Sequence, residues 1–252
     1  MDVLRQHEIS EADHRILNPF TDDQLITLGE ICRLRPDVRQ VDLASGKGEM
    51  LCRWAQRFGI RGLGIDLSEV FVSAARTRAV ELGVADRVRF ERGDAGAVTP
   101  GTAPVESDPY DVVSCIGATW IGGGLAGTIE LMRPLLAEGG LLLVGEPYWR
   151  EDPPPQAYQA EGVGPEDFTS LVGTLDRFEA AGTQLVEMVL ADEAGWDRYT
   201  AGQWWTVSRW LDDNPDSPEA PAMREYLTDL RRSYLAYGRQ YLGWGVFVLR
   251  AA

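Results

Sequence analysis

Three aspartates lie at the ends of three successive predicted strands, and their placement is the clearest sign of chemistry in the sequence. They are Asp42, Asp66 and Asp94. The segments that end with these aspartates have the length and the apolar positions of buried β-strands. Ligands of open α/β sheets bind outside the carboxyl ends of the strands. A single aspartate there is often a turn residue, but three in succession predict a binding site for hydroxyl, amino or cationic groups.

The first aspartate leads into a turn of small residues and then into an amphipathic helix that begins at Glu49. A strand, a glycine-rich turn and a helix form a nucleotide-type site, because glycine lets the backbone approach a ligand and the helix start offers free N–H groups. The dinucleotide fingerprint G-x-G-x-x-G has a third glycine where this chain has Leu51. Asp42 would also repel a pyrophosphate. The turn therefore favours a ligand with an ammonium or sulfonium charge over NAD.

From Asp42 to Gly48 the chain resembles the class I S-adenosylmethionine (SAM) dependent methyltransferases, whose first motif is D-x-G-x-G-x-G. Ala44 replaces the first glycine of that motif. The resemblance covers the whole length, and four segments are similar to a bacterial subfamily of uncharacterised small-molecule methyltransferases: 18–21, 118–124, 145–150 and 241–245. It implies an α/β, Rossmann-like sheet of seven strands with the last strand antiparallel, helices on both faces and a helical lid. It also implies SAM as cofactor and S-adenosylhomocysteine as product.

The resemblance further implies which residues bind SAM. Asp66 lies 18 residues after Gly48, close to the spacing of about 20 for the acid that accepts the ribose hydroxyls. Asp94 would receive the adenine amino group, and the end of the fourth strand would flank the methionine part. The full set is Asp42, Ala44, Gly46, Gly48, Asp66, Leu67, Asp94, Ala95, Cys115 and Ile116. Cys115 as a nucleophile is the weaker interpretation, since methyl transfer needs none.

Methyl transfer is an in-line displacement, so the protein mainly aligns the reacting atoms and excludes water. A general base is needed only if the acceptor must lose a proton. Glu146, which follows a fully apolar strand, and His14 are the candidate catalytic residues. The alternatives are that His14 packs on a helix surface and that Glu146 holds the lid. No metal site is predicted.

An aromatic-walled pocket is predicted for the acceptor, which suits an amine or an aromatic molecule methylated on N or O. Its residues are Phe20, Trp120, Tyr148, Trp149 and Tyr199. The tryptophans 204, 205 and 210 are equally explained as packing between the lid and the core. A non-catalytic SAM-binding sensor or scaffold is the second function that the sequence leaves open, and a NAD-dependent oxidoreductase is a third.

The elements that position these residues form a single methyltransferase domain, 1–252. We expect N-terminal helices over the cofactor site (1–35), core βα units (36–192), a helical lid insertion (193–240) and a closing strand (241–252). In more detail, the sequence predicts helices at 10–17, 21–34 and 165–181, and a loop from 150 to 164. Ser10 and Thr21 are the expected N-caps of the first two helices.

Composition narrows the partners and the compartment. The net charge of −15 argues against nucleic acid and against an anionic membrane surface. Lys47 is the single lysine among 24 basic residues, which we interpret as compositional bias. Three cysteines in apolar contexts predict buried free thiols. With no signal peptide or membrane span in the pattern, we expect a cytoplasmic monomer or homodimer that acts on a small molecule.

Overall fold

The computed structural model describes residues 1–251, and its seven strands form one sheet. The strands are β1 (Arg39–Leu43), β2 (Arg61–Asp66), β3 (Val88–Arg92), β4 (Tyr110–Ile116), β5 (Leu136–Trp149), β6 (Thr183–Leu190) and β7 (Leu242–Ala251). Their order is β3-β2-β1-β4-β5-β7-β6. β7 runs antiparallel to both of its neighbours, and the other pairs are parallel. The predicted Rossmann-like sheet with an antiparallel last strand is confirmed.

Helices cover both faces of the sheet. They are α1 (Val3–Ser10), α2 (Asp22–Ile31), α3 (Glu49–Phe58), α4 (Glu69–Glu81), α5 (Leu125–Met132), α6 (Pro155–Glu161), α7 (Leu171–Ala180), α8 (Glu193–Asp213) and α9 (Ala220–Ser233). One apolar core joins the sheet to α2, α3 and α4, and another joins it to α5 and α7. Because both faces are buried, the central strands are apolar without alternation.

Local capping explains where two of these helices begin. Thr21 and Gln24 form a capping box at the start of α2, where each side chain accepts the backbone N–H of the other residue. Ser68 caps α4 by accepting the N–H of Phe71. The predicted helix at 21–34 is therefore present, although it ends at Ile31.

The predicted helix at 10–17 is wrong. Ser10 ends α1, and turns and bends follow it up to residue 19. The hydroxyl of Ser10 donates to the carbonyl of His7 at 3.1 Å instead of capping a new helix. The carbonyls of Glu11, Ala12 and His14 accept hydrogen bonds from Lys47. A long-range contact has therefore taken the backbone acceptors that a local helix would use.

Two predictions near the end of β5 also need correction. The segment 150–164, predicted as a loop, contains the helix α6. Pro155 can be its first residue, because the N–H that proline lacks would have no partner at the start of a helix. The predicted helix at 165–181 is shorter, because α7 begins after Ser170, which caps it by accepting the N–H of Gly173.

A third, smaller core lies between α1, α8 and α9. It contains Ile9, Val207, Met223 and Leu227. The N-terminal helix is thus packed against the helices that precede β7. The division into the segments named above stays a prediction. Among residues 1–251, no helix combines the length and the apolar character that crossing a membrane requires.

Candidate active site

A cavity of about 790 Å³ lies at the carboxyl ends of the parallel strands. It is bounded by the turn after β1, by α1, by residues 15–20, and by side chains of α8, α9 and β7. The structure brings twelve of the predicted site residues to its wall: Phe20, Asp42, Ala44, Gly46, Gly48, Asp66, Leu67, Asp94, Ala95, Ile116, Trp120 and Tyr199.

The turn after β1 has left-handed backbone at three of its small residues. Ala44, Gly46 and Gly48 have φ angles of 59°, 54° and 68°. A Cβ at Gly48 would overlap the Phe90 ring and lie 2.8 Å from the Cβ of Ala75. Gly48 is therefore required by conformation and by packing together. Ala44 adopts an angle that costs an L-residue about 1–2 kcal/mol, so its replacement of the motif glycine strains the turn.

Asp42 is buried within the sheet, at the end of a short series of hydrogen-bonded side chains. Ser114 Oγ donates to Asp42 Oδ1 at 2.7 Å, and Gln40 Nε2 donates to Ser114 Oγ at 3.0 Å. Burial raises the pKa of Asp42 to about 7, the Ser114 hydrogen bond opposes that shift, and the charge of Asp66 adds to it. A cation in the cavity would favour the ionised carboxylate.

Asp66 is the second buried carboxylate of the cavity. Its two oxygens accept the N–H of Gly46 at 2.8 Å and the N–H of Ser68 at 2.9 Å. Burial raises its pKa, and these two hydrogen bonds oppose the shift. The bonds fix the carboxylate between the turn and α4, with lone pairs left for a ligand that donates.

Asp94 is exposed and accepts the N–H of Gly96 at 2.8 Å, which starts the short turn Ala95–Ala97. A Cβ at Gly96 would lie 2.7 Å from the carbonyl oxygen of Ile121. Trp120, which precedes Ile121 and is 67% exposed, therefore lies at the Asp94 end of the cavity. It lines the same cavity as Phe20 and Tyr199.

Lys47 connects the turn to the N-terminal segment. Its Nζ donates to the carbonyls of Glu11, Ala12 and His14 at 2.7, 2.8 and 2.8 Å. The interpretation as compositional bias did not reveal this structural role of Lys47. The sequence did carry a signal for this contact. Lys47 lies between the two motif glycines and is the one residue with a long side chain in a turn of small residues, so it can reach another segment.

Glu11 is fully buried and connects the same segment to α8. Its Oε1 accepts from Tyr199 Oη at 2.6 Å and from Gln203 Nε2 at 2.5 Å, and its Oε2 lies 3.0 Å from His14 Nδ1. Burial raises the pKa of Glu11, but the neighbouring His14 and the hydrogen bond from Tyr199 outweigh this effect and hold the pKa below its usual range. Burial and Glu11 raise the pKa of Tyr199, so Tyr199 is a donor here and not a base.

Glu146 does not face the cavity. Successive side chains of a strand point to opposite faces, and Pro147 lines the cavity while Val144 and Tyr148 belong to the core on the other face. Glu146 lies on that other face, where it accepts from Thr119 Oγ1 at 2.6 Å. Burial raises its pKa to about 7. The expectation of Glu146 as a catalytic residue and of Tyr148 as part of the acceptor pocket is therefore corrected, because neither side chain lines this cavity.

Three further predicted residues also lie outside this cavity. His14 lines a neighbouring cavity of about 420 Å³ that shares Phe20 and Tyr199 with the first. Cys115 is fully buried, and burial raises its pKa, which argues against a nucleophilic thiolate. Trp149 packs its ring against Tyr158 and Phe168.

Sequence reasoning missed several residues of the cavity wall: His7, Leu17, Lys47, Tyr226, Trp244 and Val246. Trp244 packs edge-on against Phe20, with ring centroids 5.0 Å apart. In β7 the side chains of 244 and 246 share one face, as the period of two requires. Within residues 1–251 no group of three or more His, Cys, Asp or Glu side chains is arranged to hold a metal ion.

Comparison with known proteins identifies the family. A family model described as a methyltransferase domain matches residues 34–189. The chain belongs to that family. The uncharacterised protein YjhP of Escherichia coli K12 is 47% identical over the full length of both chains. A SAM-dependent methyltransferase of Geobacter sulfurreducens, solved with S-adenosylhomocysteine, is 49% identical and superposes with a TM-score of 0.93 over 100% of this chain and 99% of that one.

A SAM-dependent methyltransferase of Thiobacillus denitrificans, also solved with S-adenosylhomocysteine, is 46% identical with a TM-score of 0.93 and full coverage of both chains. The chain is therefore a class I SAM-dependent methyltransferase, and SAM is its cofactor. SAM as the cofactor, which the resemblance implied, is confirmed. The side chains of the cavity suit that cofactor. Two buried carboxylates, Asp42 and Asp66, line it, and each would be stabilised in its ionised form by a ligand that is cationic or carries hydroxyl groups.

Proposed function

We propose that this methyltransferase acts on a small molecule, which it methylates on N or O inside the cavity of about 790 Å³. The observation that carries the proposal is the division of the cavity wall. The carboxylates Asp42 and Asp66 and the left-handed turn belong to β1, β2 and the segment after β1, whereas Phe20 packs against Trp244 of β7, which lies beyond β4 and β5 in the strand order. We take the first group as the cofactor end of the cavity and the second as its acceptor end. SAM bound at the first end supplies an activated methyl group on its sulfonium.

At the cofactor end, the proposal assigns the ammonium and sulfonium charges to the side of Asp42, and the ribose hydroxyls to Asp66. Ala44 and Gly46 would present backbone to the methionine part, beside Ile116. Asp94 and Ala95 would flank the adenine. These assignments are supported by the position of each residue on the cavity wall and by the hydrogen-bonding capacity of carboxylates toward hydroxyl and amino donors.

At the acceptor end, Phe20, Trp196, Tyr199 and Trp244 line the cavity. The carboxylate nearest to this end in the hydrogen-bond network is Glu11, which is fully buried and committed to Tyr199 and Gln203. The wall thus offers aromatic surface without a free counter-charge. It favours an apolar or aromatic acceptor over a strongly cationic one.

The placement of the candidate bases limits how the acceptor is activated. Glu146 faces the opposite side of the sheet, and His14 lies in the neighbouring cavity. We therefore propose that catalysis depends on alignment and exclusion of water. The acceptor atom would carry its lone pair at neutral pH, as an uncharged amine or an acidic phenol does. Cytoplasmic location and a monomeric or dimeric state remain part of the proposal.

Calorimetric titration with SAM, S-adenosylhomocysteine and NAD tests the cofactor assignment. We expect the first two to bind and NAD not to bind. Asp66→Ala should weaken S-adenosylhomocysteine by at least about tenfold, because hydrogen bonds to a charged group contribute about 1.5–3 kcal/mol each. Asp86→Ala, at an exposed turn, is the matched control.

An acceptor screen by mass spectrometry, with aromatic amines and phenols against aliphatic diamines, tests the substrate class. Methylation of the aromatic set supports the proposal. Preference for the diamines would contradict the apolar acceptor end. Tight SAM binding without turnover of any acceptor in a broad panel would favour a sensor or scaffold instead.

A further inference from the structure

The chain has two histidines, and the one that lines the main cavity is His7. Other ionisable side chains of the wall are committed to protein partners. Lys47 binds three backbone carbonyls, Glu49 forms a two-pronged ion pair with Arg78 at 2.7 and 2.8 Å, and Tyr199 binds Glu11. Within residues 1–251 the exposed imidazole of His7 makes no side-chain hydrogen bond. It is available to a ligand.

Two contacts place His7 beside Asp66. Its ring packs edge-on against Phe71, with centroids 5.4 Å apart, and Phe71 is in the first turn of α4. Ser68 Oγ, two residues after Asp66, donates to Glu8 Oε1 at 2.7 Å and so ties α1 to the start of α4. The charge of His7 also lowers the pKa of Asp66, against the larger effect of burial. His7 and Asp66 therefore approach one part of the cavity from α1 and from β2.

The two side chains have complementary hydrogen-bonding capacity. The ionised Asp66 only accepts, and each of its oxygens already holds one backbone N–H. It can accept a hydrogen bond from a hydroxyl, but it cannot donate one to the hydroxyl oxygen. An imidazole has an N–H that does so. A vicinal diol between the two residues would find an acceptor on one side and a donor on the other.

We propose that His7 is a cofactor-binding residue that, together with Asp66, binds the ribose hydroxyls of SAM. The inference rests on the proposed position of the cofactor. It assigns to α1 a direct part in cofactor binding, in addition to its packing against α8 and α9. The helix is well placed for this, since Lys47 fixes the residues that follow it and Glu8 fixes its last turn.

The test compares His7→Ala, His7→Gln and the wild type by calorimetry with two probes, S-adenosylhomocysteine and 5′-methylthioadenosine. Both probes carry the ribose, but the second lacks the amino-acid part. We expect His7→Ala to weaken both by the same factor of about ten, as loss of one ligand hydrogen bond implies. His7→Gln should stay within about threefold of the wild type, because the amide also donates.

Arg5→Ala controls for loosening of α1. Arg5 is on the same helix, outside the cavity wall, and pairs with Glu8 and Glu219 near the surface. We expect this variant to bind both probes as the wild type does, and the unfolding temperature of ligand-free His7→Ala to be unchanged. Wild-type affinity of His7→Ala would overturn the inference, as would a loss for S-adenosylhomocysteine alone or an equal loss in Arg5→Ala. Failure of the wild type to bind either probe would instead overturn the proposed function.

Discussion

Replacement of Lys47 by methionine should release the N-terminal segment without unfolding the sheet. The substitution removes three hydrogen bonds to the carbonyls of Glu11, Ala12 and His14, at 2.7–2.8 Å. A hydrogen bond to a charged group contributes about 1.5–3 kcal/mol when it is buried. Lys47 is only half-buried, and water would reach the freed carbonyls. We therefore expect a loss of about 1 kcal/mol for each bond, or about 3 kcal/mol in local stability.

Hydrogen exchange read by mass spectrometry is the assay, because it reports local opening. Amides of residues 3–17 should exchange about a hundredfold faster in Lys47→Met, which is the factor that about 3 kcal/mol implies. The exchange rates in Lys47→Arg should lie between those of the wild type and Lys47→Met, because a planar guanidinium does not direct three N–H groups from one nitrogen. Arg53→Met, which loses two long ion pairs at 3.5 and 3.7 Å, is the control. Unchanged exchange in Lys47→Met would refute the reasoning.

Three other substitutions test the turn and its carboxylate. Ala44→Gly should raise the free energy of unfolding by about 1 kcal/mol, because glycine adopts the φ of +59° without strain. Denaturant titration measures this change, and a lower free energy of unfolding in the variant would contradict the prediction. Gly48→Ala should cost about 2–5 kcal/mol by strain and overlap with Phe90, and more than Gly83→Ala, where φ is +67° but no atom lies within 4 Å. Asp42→Asn should flatten the pH dependence of stability. The pKa of Asp42 in the folded protein is about 7, which is higher than the value of about 4 in the unfolded chain. The contribution of Asp42 to the free energy of unfolding is therefore greatest below about pH 4, and it falls by up to about 1.4 kcal/mol per pH unit between about pH 4 and 7. Equal slopes for wild type and variant, in the absence of cofactor, would exclude this titration.

The parts of the fold that sequence predicts are those set by local pattern. Apolar positions marked the strands, and Thr21 marked the start of α2, because a cap and its partner lie within three residues. Asp42 and Asp66 line the cavity as predicted, since the carboxyl ends of parallel strands share one edge. These inferences need only the strand and the turn that follows it.

The errors arise where long-range contacts or side-chain orientation decide. β5 is apolar on both faces, so its sequence has no alternation to show which face Glu146 occupies. Only the pairing of β5 with β7 and the position of Pro147 on the cavity wall fix it. Ser10 has the pattern of a helix cap, but the carbonyls beyond it bind Lys47, which lies 33 to 36 residues away. No local rule contains that contact.

Residues 11–14 contact both the turn after β1 and helix α8, and they therefore connect two parts of the cavity wall. On one side the backbone of this segment is held by Lys47 in the turn after β1. On the other side the carboxylate of Glu11 holds Tyr199, in the aromatic wall that we propose for the acceptor. Tyr199 is thus linked to the turn after β1 through residues 11–14, and we expect a change at Lys47 to displace Glu11 and with it the hydrogen-bond partner of Tyr199. Precise alignment of acceptor and methyl group is the main demand of in-line displacement, and under the proposed function this segment physically connects the residues that would hold the two reactants.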